Sequence, residues 1–338
     1  MSRLDDIVDM LLSFNGISRK FVLPSIISRL RKSSYNGDFP HTLGEDSAAI
    51  ETSCDEYVLL TIDSIVEELC LYHPRAAGFN AILANIMDIY AAGGKPTSLA
   101  VALSYSDEEV GEELLEGLID GSHKFRIPLV RGHTNSQSQS TYVVGSATGT
   151  VEKSNLLTAG GAESGDYLFL LFDKNGKVGE HYKLGWDSVT EQDSDAVIQR
   201  LSTMNQLAEL HLVHASKDVS TAGIVGTAGM LLEYSGKGGY IDLDAVESGI
   251  PSMVSLEDWL RMYISLGFLI AVSPENHSRV SEICTKHGME QAIVGQVDDT
   301  ETLTLRLANC EKAIFDFSEG PVLTPENRLQ NDRFSEIE

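Results

Sequence analysis

The segment PRAAGFNAILANIMDIYAAGG, residues 74–94, limits what this chain can fold into more than any other part of the sequence. It begins with proline, ends with two glycines and carries an apolar stripe at helical spacing, so it predicts a helix over 74–92. A second, narrow stripe of small residues carries Asn85 and Asp88 one turn apart. A helix this apolar is buried on several sides, and a buried carboxylate there needs a cation. The alternative is that Asp88 lies on a partly exposed face.

Helical and strand patterns are mixed in both halves of the chain without strict alternation. This mixture predicts an α+β protein with two domains. We expect an N-terminal helical segment at 1–39, a first domain at 40–152, a second domain at 153–320 and a charged tail at 321–338. The predicted strands include, among others, 56–63, 98–105, 166–173, 239–246, 267–274, 291–299 and 302–307, and the polar stretch HTNSQSQS (133–140) is expected to be a loop.

Composition excludes several classes of function. The 338 residues have a formal net charge of −25, a field that repels nucleic acid and anionic membranes. No apolar run reaches the length of a bilayer span, and the acidic, amphipathic start is unlike a signal peptide. We therefore expect a cytoplasmic protein with neither a nucleic acid nor a membrane as partner. The four cysteines are far apart, which argues against disulfides and zinc knuckles.

Three more carboxylates lie beside glycine or small residues. Asp46 follows Gly44 in TLGEDSAAIE, Asp63 lies near the end of a predicted strand, and Asp218 precedes a Ser-Thr-Ala-Gly run that opens a helix. Two of these positions have an ordinary explanation: a turn at Gly44 for Asp46, and helix capping by Ser220 or the threonine after it for Asp218. Together with Asp88, however, these are hard oxygen ligands on separate elements, which favour Mg²⁺ over zinc.

Six segments, taken in order, resemble the aminoimidazole ribonucleotide (AIR) synthase superfamily. They are GEDSAAI, LLTIDSIVE, ANIMDIYAAGGKPTSLAVAL, IPLVRGHT, AESGDYLFL and KDVSTAGIVGTAGMLLEYSGKGGYIDL, and they cover roughly residues 40–300. The superfamily includes AIR synthetase, thiamine-monophosphate kinase and selenophosphate synthetase. The chain is most similar to uncharacterised AIR synthase-related proteins, which include a methanogenesis-marker group.

The resemblance implies a two-domain AIR synthase-like fold. The N-terminal domain of that fold pairs across a homodimer into a β-barrel, and its C-terminal α/β domain closes over ATP. The resemblance also implies ATP and Mg²⁺ as cofactors and a small-molecule substrate that bears a phosphate or an amide. The implied metal ligands are Glu45, Asp46, Asp63, Asp88 and Asp218; the implied cofactor-binding residues are Gly44, Asn85, Arg131, Gly132, Thr134 and Ser220; the implied catalytic residues are His133 and Lys217.

The sequence departs from the family pattern in ways that make the site less negative. Glu45 replaces an aspartate, His133 replaces the aspartate of G-G-D-T, Arg131 replaces a glycine, and Thr221-Ala222-Gly223 replace D-G-L. LGFLIAV stands where the thiamine-phosphate kinases have G-x-E-D-Y-E, which argues against that substrate. The sequence therefore predicts an ATP- and Mg²⁺-dependent phosphoryl-transfer enzyme of kinase or amide-activating type. The alternative is a nucleotide-binding regulatory or scaffold dimer without turnover.

The two tryptophans leave one further alternative open. Trp186, beside Asp187, and Trp259 are candidates for the lining of a specific pocket. Buried tryptophans, however, more often belong to a hydrophobic core.

Overall fold

A computed structural model of the protein describes residues 2–35, 45–52, 55–325 and 327. The prediction that Gly44 binds the cofactor falls outside the described residues, and so does Cys54. Most of the predicted tail at 321–338 also lies outside them. Within the described part of the chain, every helix is too short or too polar to cross a lipid bilayer.

Residues 2–35 form a helical segment, here called the N-terminal arm. Its helices are α1 (Arg3–Ser13), α2 (Asn15–Ser18) and α3 (Leu23–Ser33). A capping box fixes the start of α1, since Ser2 Oγ accepts a hydrogen bond from the Asp5 N–H and the Asp5 carboxylate accepts one from the Ser2 N–H. The apolar face of α1 is buried against residues 302–316 of the second domain, so the arm is docked there.

The first domain is a mixed sheet with helices on one face. Its strands are β1 (Ala48–Glu51), β2 (Glu56–Ser64), β3 (Lys95–Tyr105), β4 (Leu129–Ser136) and β5 (Tyr142–Glu152), in the spatial order β1-β2-β5-β3-β4. The β3–β4 pair is parallel and the other pairs are antiparallel. The helices are α4 (Glu67–Tyr72), α5 (Pro74–Ala91) and α6 (Glu108–Phe125).

Helix α5 is buried on several sides, as its apolar sequence predicts. One side packs on β2 and β5, and its C-terminal half contacts strands and helices of the second domain. Gly145 in β5 permits the close approach: a Cβ atom there would lie 2.1 Å from the Ala81 carbonyl oxygen of α5. The helix ends at Gly93, whose φ of +75° suits glycine.

The second domain contains a sheet that is covered on both faces. Its strands are β6 (Tyr167–Phe172), β9 (Ala215–Asp218), β10 (Gly238–Asp242), β12 (Phe268–Val272), β13 (Glu290–Asp298), β14 (Thr302–Leu307) and β15 (Cys310–Asp316), in the order β15-β14-β10-β13-β6-β12-β9. A small sheet holds β7 (Lys177–Val178), β8 (Gly185–Asp187) and β11 (Tyr263–Ile264). The helices are α7 (Ser194–Glu209), α8 (Gly223–Tyr234), α9 (Leu243–Gly249), α10 (Leu256–Trp259) and α11 (His277–His287), with 3₁₀ turns at Lys153–Asn155 and Pro274–Asn276.

Two local predictions differ from the structure, and three short strands were not predicted. The strand predicted at 239–246 ends at Asp242, because the Asp242 side chain accepts hydrogen bonds from the N–H groups of Asp244 and Ala245 and so begins α9. The polar stretch predicted as a loop from His133 is in β4 as far as Ser136, since parallel pairing with β3 outweighs its weak strand propensity. The short strands β7, β8 and β11 have no periodic signal in the sequence.

Candidate functional site

Four aspartates meet where the two domains face each other; we call them the acid cluster. They are Asp46, Asp63, Asp88 and Asp218. Asp46 precedes β1, Asp63 lies near the end of β2, Asp88 lies on α5 and Asp218 ends β9. Contact between α5 and β9 brings Asp88 to Asp218. Carboxylate oxygens of Asp46, Asp88 and Asp218 lie within 4.8 Å of one another, a spacing that a single metal ion can bridge.

The acid cluster is too crowded to be fully ionised without a cation. Burial, and after it the Asp46 charge, raises the pKa of Asp218 to about 8. Burial and the neighbouring Asp63 raise the pKa of Asp88 well above its ordinary value, and burial raises the pKa of Asp63. Asp63 and Asp88 also lie close enough to share a hydrogen bond. The cluster therefore holds either protons or a cation.

Lys217 and Glu45 border the acid cluster in different ways. Lys217 is buried, and its ammonium group forms an ion pair with Asp46. Glu45 was predicted as a metal ligand, but one of its oxygens accepts a hydrogen bond of 2.8 Å from the Ala159 N–H in the linker between the domains. Burial raises the pKa of Glu45 to about 7. Its oxygens do not belong to the set of Asp46, Asp88 and Asp218 oxygens that converge.

A cavity of about 620 Å³ opens above the acid cluster. Its walls come from α5, from residues 177–190, from the N-terminal arm and from residues 323–325. Residues 322–324 are held by Glu233, whose carboxylate accepts hydrogen bonds from their backbone N–H groups. This volume lies within the range of about 300–1,000 Å³ that small-molecule sites occupy.

Of the two residues Ser220 and Asn85, both predicted to bind the cofactor, Ser220 lines the cavity and Asn85 does not. Asn85 is fully buried; its amide nitrogen donates to the Ala81 carbonyl at 2.8 Å, and its oxygen accepts from Thr61 Oγ1 at 2.7 Å. The hydrogen bond with Thr61 joins α5 to β2, and the one with Ala81 lies within α5. Asn85 therefore fixes the helix that carries Asp88 and is not placed to touch a ligand.

The predicted residues Arg131, Gly132, His133 and Thr134 are exposed on β4, an edge strand, and do not line the cavity. The strand order explains why: β5 and β3 separate β4 from β2, the strand that carries Asp63. In addition, Arg131 and His133 pair with Ala100 and Ala102 of β3, which places these two residues on the sheet face opposite to Asp63. The structure thus does not bring His133, the predicted acid–base residue, to the acid cluster.

Sequence reasoning missed much of the cavity lining, including Arg19, Lys20 and Tyr263. Arg19 and Lys20 belong to the arm and form a basic pair in an acidic chain, which was the available signal. The Tyr263 hydroxyl is buried beside Asp218 and has no hydrogen-bond partner among the described residues. No sequence pattern marks Tyr263.

The two tryptophans have different positions. Trp186 lines the cavity and donates from Nε1 to the Asp173 carbonyl at 2.7 Å. Trp259 is buried in the core of the second domain and meets Trp186 edge to face at a ring distance of 5.6 Å. Trp259 therefore supports the cavity wall without reaching its surface.

Solved structures share this two-domain arrangement. Thermotoga maritima PurL complexed with ATP superposes with a TM-score of 0.73 at 19% identity, over 97% of this chain and 53% of that chain. This chain thus spans about half the length of PurL. AaThiL complexed with AMPPCP and TMP superposes with a TM-score of 0.63 at 20% identity, over 86% of this chain and 95% of that chain. Because both sequence identities are this low, the superpositions show that the fold is shared and nothing more.

Sequence comparisons establish the family. The N-terminal domain model of the AIR synthase related proteins matches residues 44–151, and their C-terminal domain model matches residues 168–308. An uncharacterised protein of Methanocaldococcus jannaschii is 30% identical over 316 residues, which cover 93% of this chain and 97% of that protein. These matches confirm the resemblance seen in the motifs, and the two-domain α+β fold agrees with it. The chain belongs to the family of AIR synthase-related proteins.

Proposed function

We propose that the protein is an ATP- and Mg²⁺-dependent enzyme that transfers a phosphoryl group to a small metabolite. The reaction either phosphorylates the metabolite or activates an amide oxygen as a phosphate ester. One observation carries the proposal: the oxygens of Asp46, Asp88 and Asp218 converge within 4.8 Å in the floor of a cavity large enough for a nucleotide and a small acceptor.

The donor set fits Mg²⁺. Three aspartates converge, and neither histidine nor cysteine belongs to this group of converging ligands in the described chain. Mg²⁺ binds through few carboxylates and takes its remaining ligands from water and substrate phosphates. Bound there, Mg²⁺ supplies charge neutralisation for phosphate oxygens, the main requirement of phosphoryl transfer. Without a cation, the pKa of Asp218 is raised to about 8, because the ionised carboxylate is unfavourable in this buried position. A bound metal ion would stabilise the ionised carboxylate.

The relatives support ATP as the nucleotide. The PurL structure holds ATP, and the AaThiL structure holds AMPPCP, an ATP analogue, together with TMP. Both share the two-domain fold with this chain. We infer that the nucleotide lies over the acid cluster in this protein as well, with the metabolite in the part of the cavity between α5 and residues 177–190.

Two protein groups complete the proposed phosphate site. Lys217 neutralises Asp46 through their ion pair and keeps that carboxylate in place. Ser220 lies on the cavity wall just before α8, where its hydroxyl can donate a hydrogen bond to a phosphate oxygen. In this arrangement the protein positions the phosphates and neutralises charge, and no covalent intermediate with the chain is required.

We also propose that the protein is a homodimer, paired through the open face of the first sheet. Ile62 and Leu60 are two residues apart on β2, and therefore on one face of the sheet, and they are exposed by 72% and 40%. Neighbouring exposed apolar side chains of this kind mark interaction surfaces. Arg131 and His133 lie on the same face of this sheet as Ile62. If the dimer forms, they belong to its interface and not to the cavity of their own chain.

The second candidate function is nucleotide binding without turnover. It is favoured by the position of His133, the predicted acid–base residue, outside the cavity. His181 is the one histidine among the described residues that line the cavity, and its ring stacks on that of His73 at a centroid distance of 4.2 Å. This candidate predicts nucleotide binding with no product from any metabolite.

Calorimetry with ATP, in the presence and absence of Mg²⁺, tests the proposal. We expect metal-dependent binding by the wild type and its loss in Asp88→Asn, which removes a ligand and keeps the side-chain shape. Asp9→Asn, an exposed change on α1, is the matched control and should bind like the wild type. Wild-type protein that binds no ATP with Mg²⁺ would refute the proposal. Binding without turnover across a metabolite panel would favour the second candidate.

A further inference from the structure

The N-terminal arm brings two cations to the cavity that the proposed function leaves unused. Arg19 and Lys20 both line the cavity. Lys20 is partly buried and lies near Asp63 and Asp218, but forms no ion pair with any residue that the structure describes. Burial, and then the charges of Arg19 and Lys217, lower the pKa of Lys20. Of the three neighbouring cations, Lys217 is paired with Asp46, whereas Arg19 and Lys20 have no carboxylate in ion-pair contact among the described residues.

Such a grouping is favourable when an anion lies between the cations. Without one, the ammonium group of Lys20 is partly removed from water beside the positive charge of Arg19, and none of the described carboxylates forms an ion pair with it. A phosphate group carries charge enough to reverse this balance, and its oxygens accept several charge-assisted hydrogen bonds. The acid cluster on one side and the cations on the other match a phosphate that also binds a metal ion.

The arm is fixed at this position by close packing. A Cβ atom on Gly16 would lie 2.0 Å from the Thr221 carbonyl oxygen, so the backbone of the arm touches the segment before α8. Arg19 donates a hydrogen bond to Thr221 Oγ1. Ile17 is fully buried against α8. The two cations are thus held beside the start of α8, on the cavity side.

We propose that Lys20, together with Arg19, binds the terminal phosphate of the metal-bound nucleotide. The inference rests on the proposed function, since it needs a nucleotide over the acid cluster. It assigns a ligand-binding role to the N-terminal arm, which lies outside the two matched domains. The group recognised is the phosphate that ATP has and ADP lacks.

Calorimetry with AMPPCP and with ADP, each with Mg²⁺, tests this inference on the full chain. We expect Lys20→Met to weaken AMPPCP binding by about tenfold to a hundredfold, the effect of losing a charged hydrogen bond, and to change ADP binding little. Lys32→Met removes an exposed lysine of α3 from the same arm and is the matched control. Lys20→Arg, which keeps the charge, should restore part of the AMPPCP affinity.

The outcomes separate the two proposals. If the wild type binds neither nucleotide, the proposed function fails and this inference fails with it. If the wild type binds both and Lys20→Met behaves like the Lys32→Met control, only this inference is overturned. Equal weakening of AMPPCP and ADP would also overturn it, because Lys20 would then not contact the terminal phosphate. A thermal melt of each variant shows that it is folded.

Discussion

Replacing Asp218 by asparagine should stabilise the metal-free protein at neutral and mildly alkaline pH while it weakens Mg²⁺ binding. The ordinary pKa of 3.8 is raised to about 8 in the folded protein, first by burial. The folded state therefore holds the proton more tightly than the unfolded state does. For a carboxyl with a raised pKa, stability is present below the unfolded value and is lost as pH rises toward the folded value.

The magnitude follows from linkage. Between about pH 4 and about pH 8, one such group lowers the free energy of unfolding by about 1.4 kcal/mol per pH unit. The cost at neutral pH is then about 4 kcal/mol for a single carboxyl. The neutral amide of the variant avoids this cost but gives up the attraction between Asp218 and Lys217. We expect Asp218→Asn to raise the free energy of unfolding by about 2–4 kcal/mol near pH 8 in a chelator and by little near pH 5.

Urea denaturation at about pH 5 and about pH 8, with a chelator and then with Mg²⁺, measures this difference. Wild-type stability should fall with pH in the chelator, and saturating Mg²⁺ should reverse the fall in the wild type only. Asp9→Asn is the control and should follow the wild type. The reasoning is refuted if Asp218→Asn is less stable than the wild type near pH 8 without metal, or if both proteins show the same pH slope.

Two further substitutions test the packing and the proposed dimer. Gly145→Ala would place a Cβ atom 2.1 Å from the Ala81 carbonyl, so we expect the free energy of unfolding, measured by urea denaturation, to fall by about 1–3 kcal/mol. Gly132→Ala is the control in the same sheet; its Cβ atom would have its nearest neighbour at 3.6 Å, so stability should change little. An equal loss of stability in both variants would contradict this account. Ile62→Asp places a charge on the exposed apolar face, so light scattering should show the wild type as a dimer and the variant as a monomer with an unchanged melt. A monomeric wild type would refute the dimer.

The sequence predicted those parts of the site that depend on local pattern. Helix α5 was predicted from its apolar periodicity, and Asp88 was singled out because one carboxylate stood among small and apolar residues. Asp46, Asp63 and Asp218 were noted for the same reason. Their meeting point could be inferred only through the family resemblance, since it depends on the contact between α5 and β9.

Other parts of the site depend on tertiary contacts that no local sequence pattern indicates. Arg19 and Lys20 reach the cavity because the apolar face of α1 docks on the second domain. The positions of Arg131 and His133 depend on the register of β4 against β3, and a shift by one residue would turn each to the other face. Asn85 was assigned to the cofactor through the family resemblance; its hydrogen bonds to Thr61 and Ala81 were not visible in the sequence.

The central position of α5 has a consequence for the order in which the structure opens. Its backbone amides are enclosed by the first sheet on one side and by the second domain on another, so they should exchange with solvent deuterium only when the two domains separate or unfold. Residues 177–184 of the cavity wall, by contrast, are mostly exposed. We therefore expect Asp88 to stand on the slowest-exchanging part of the molecule, and adjustments to different ligands to fall to residues 177–190.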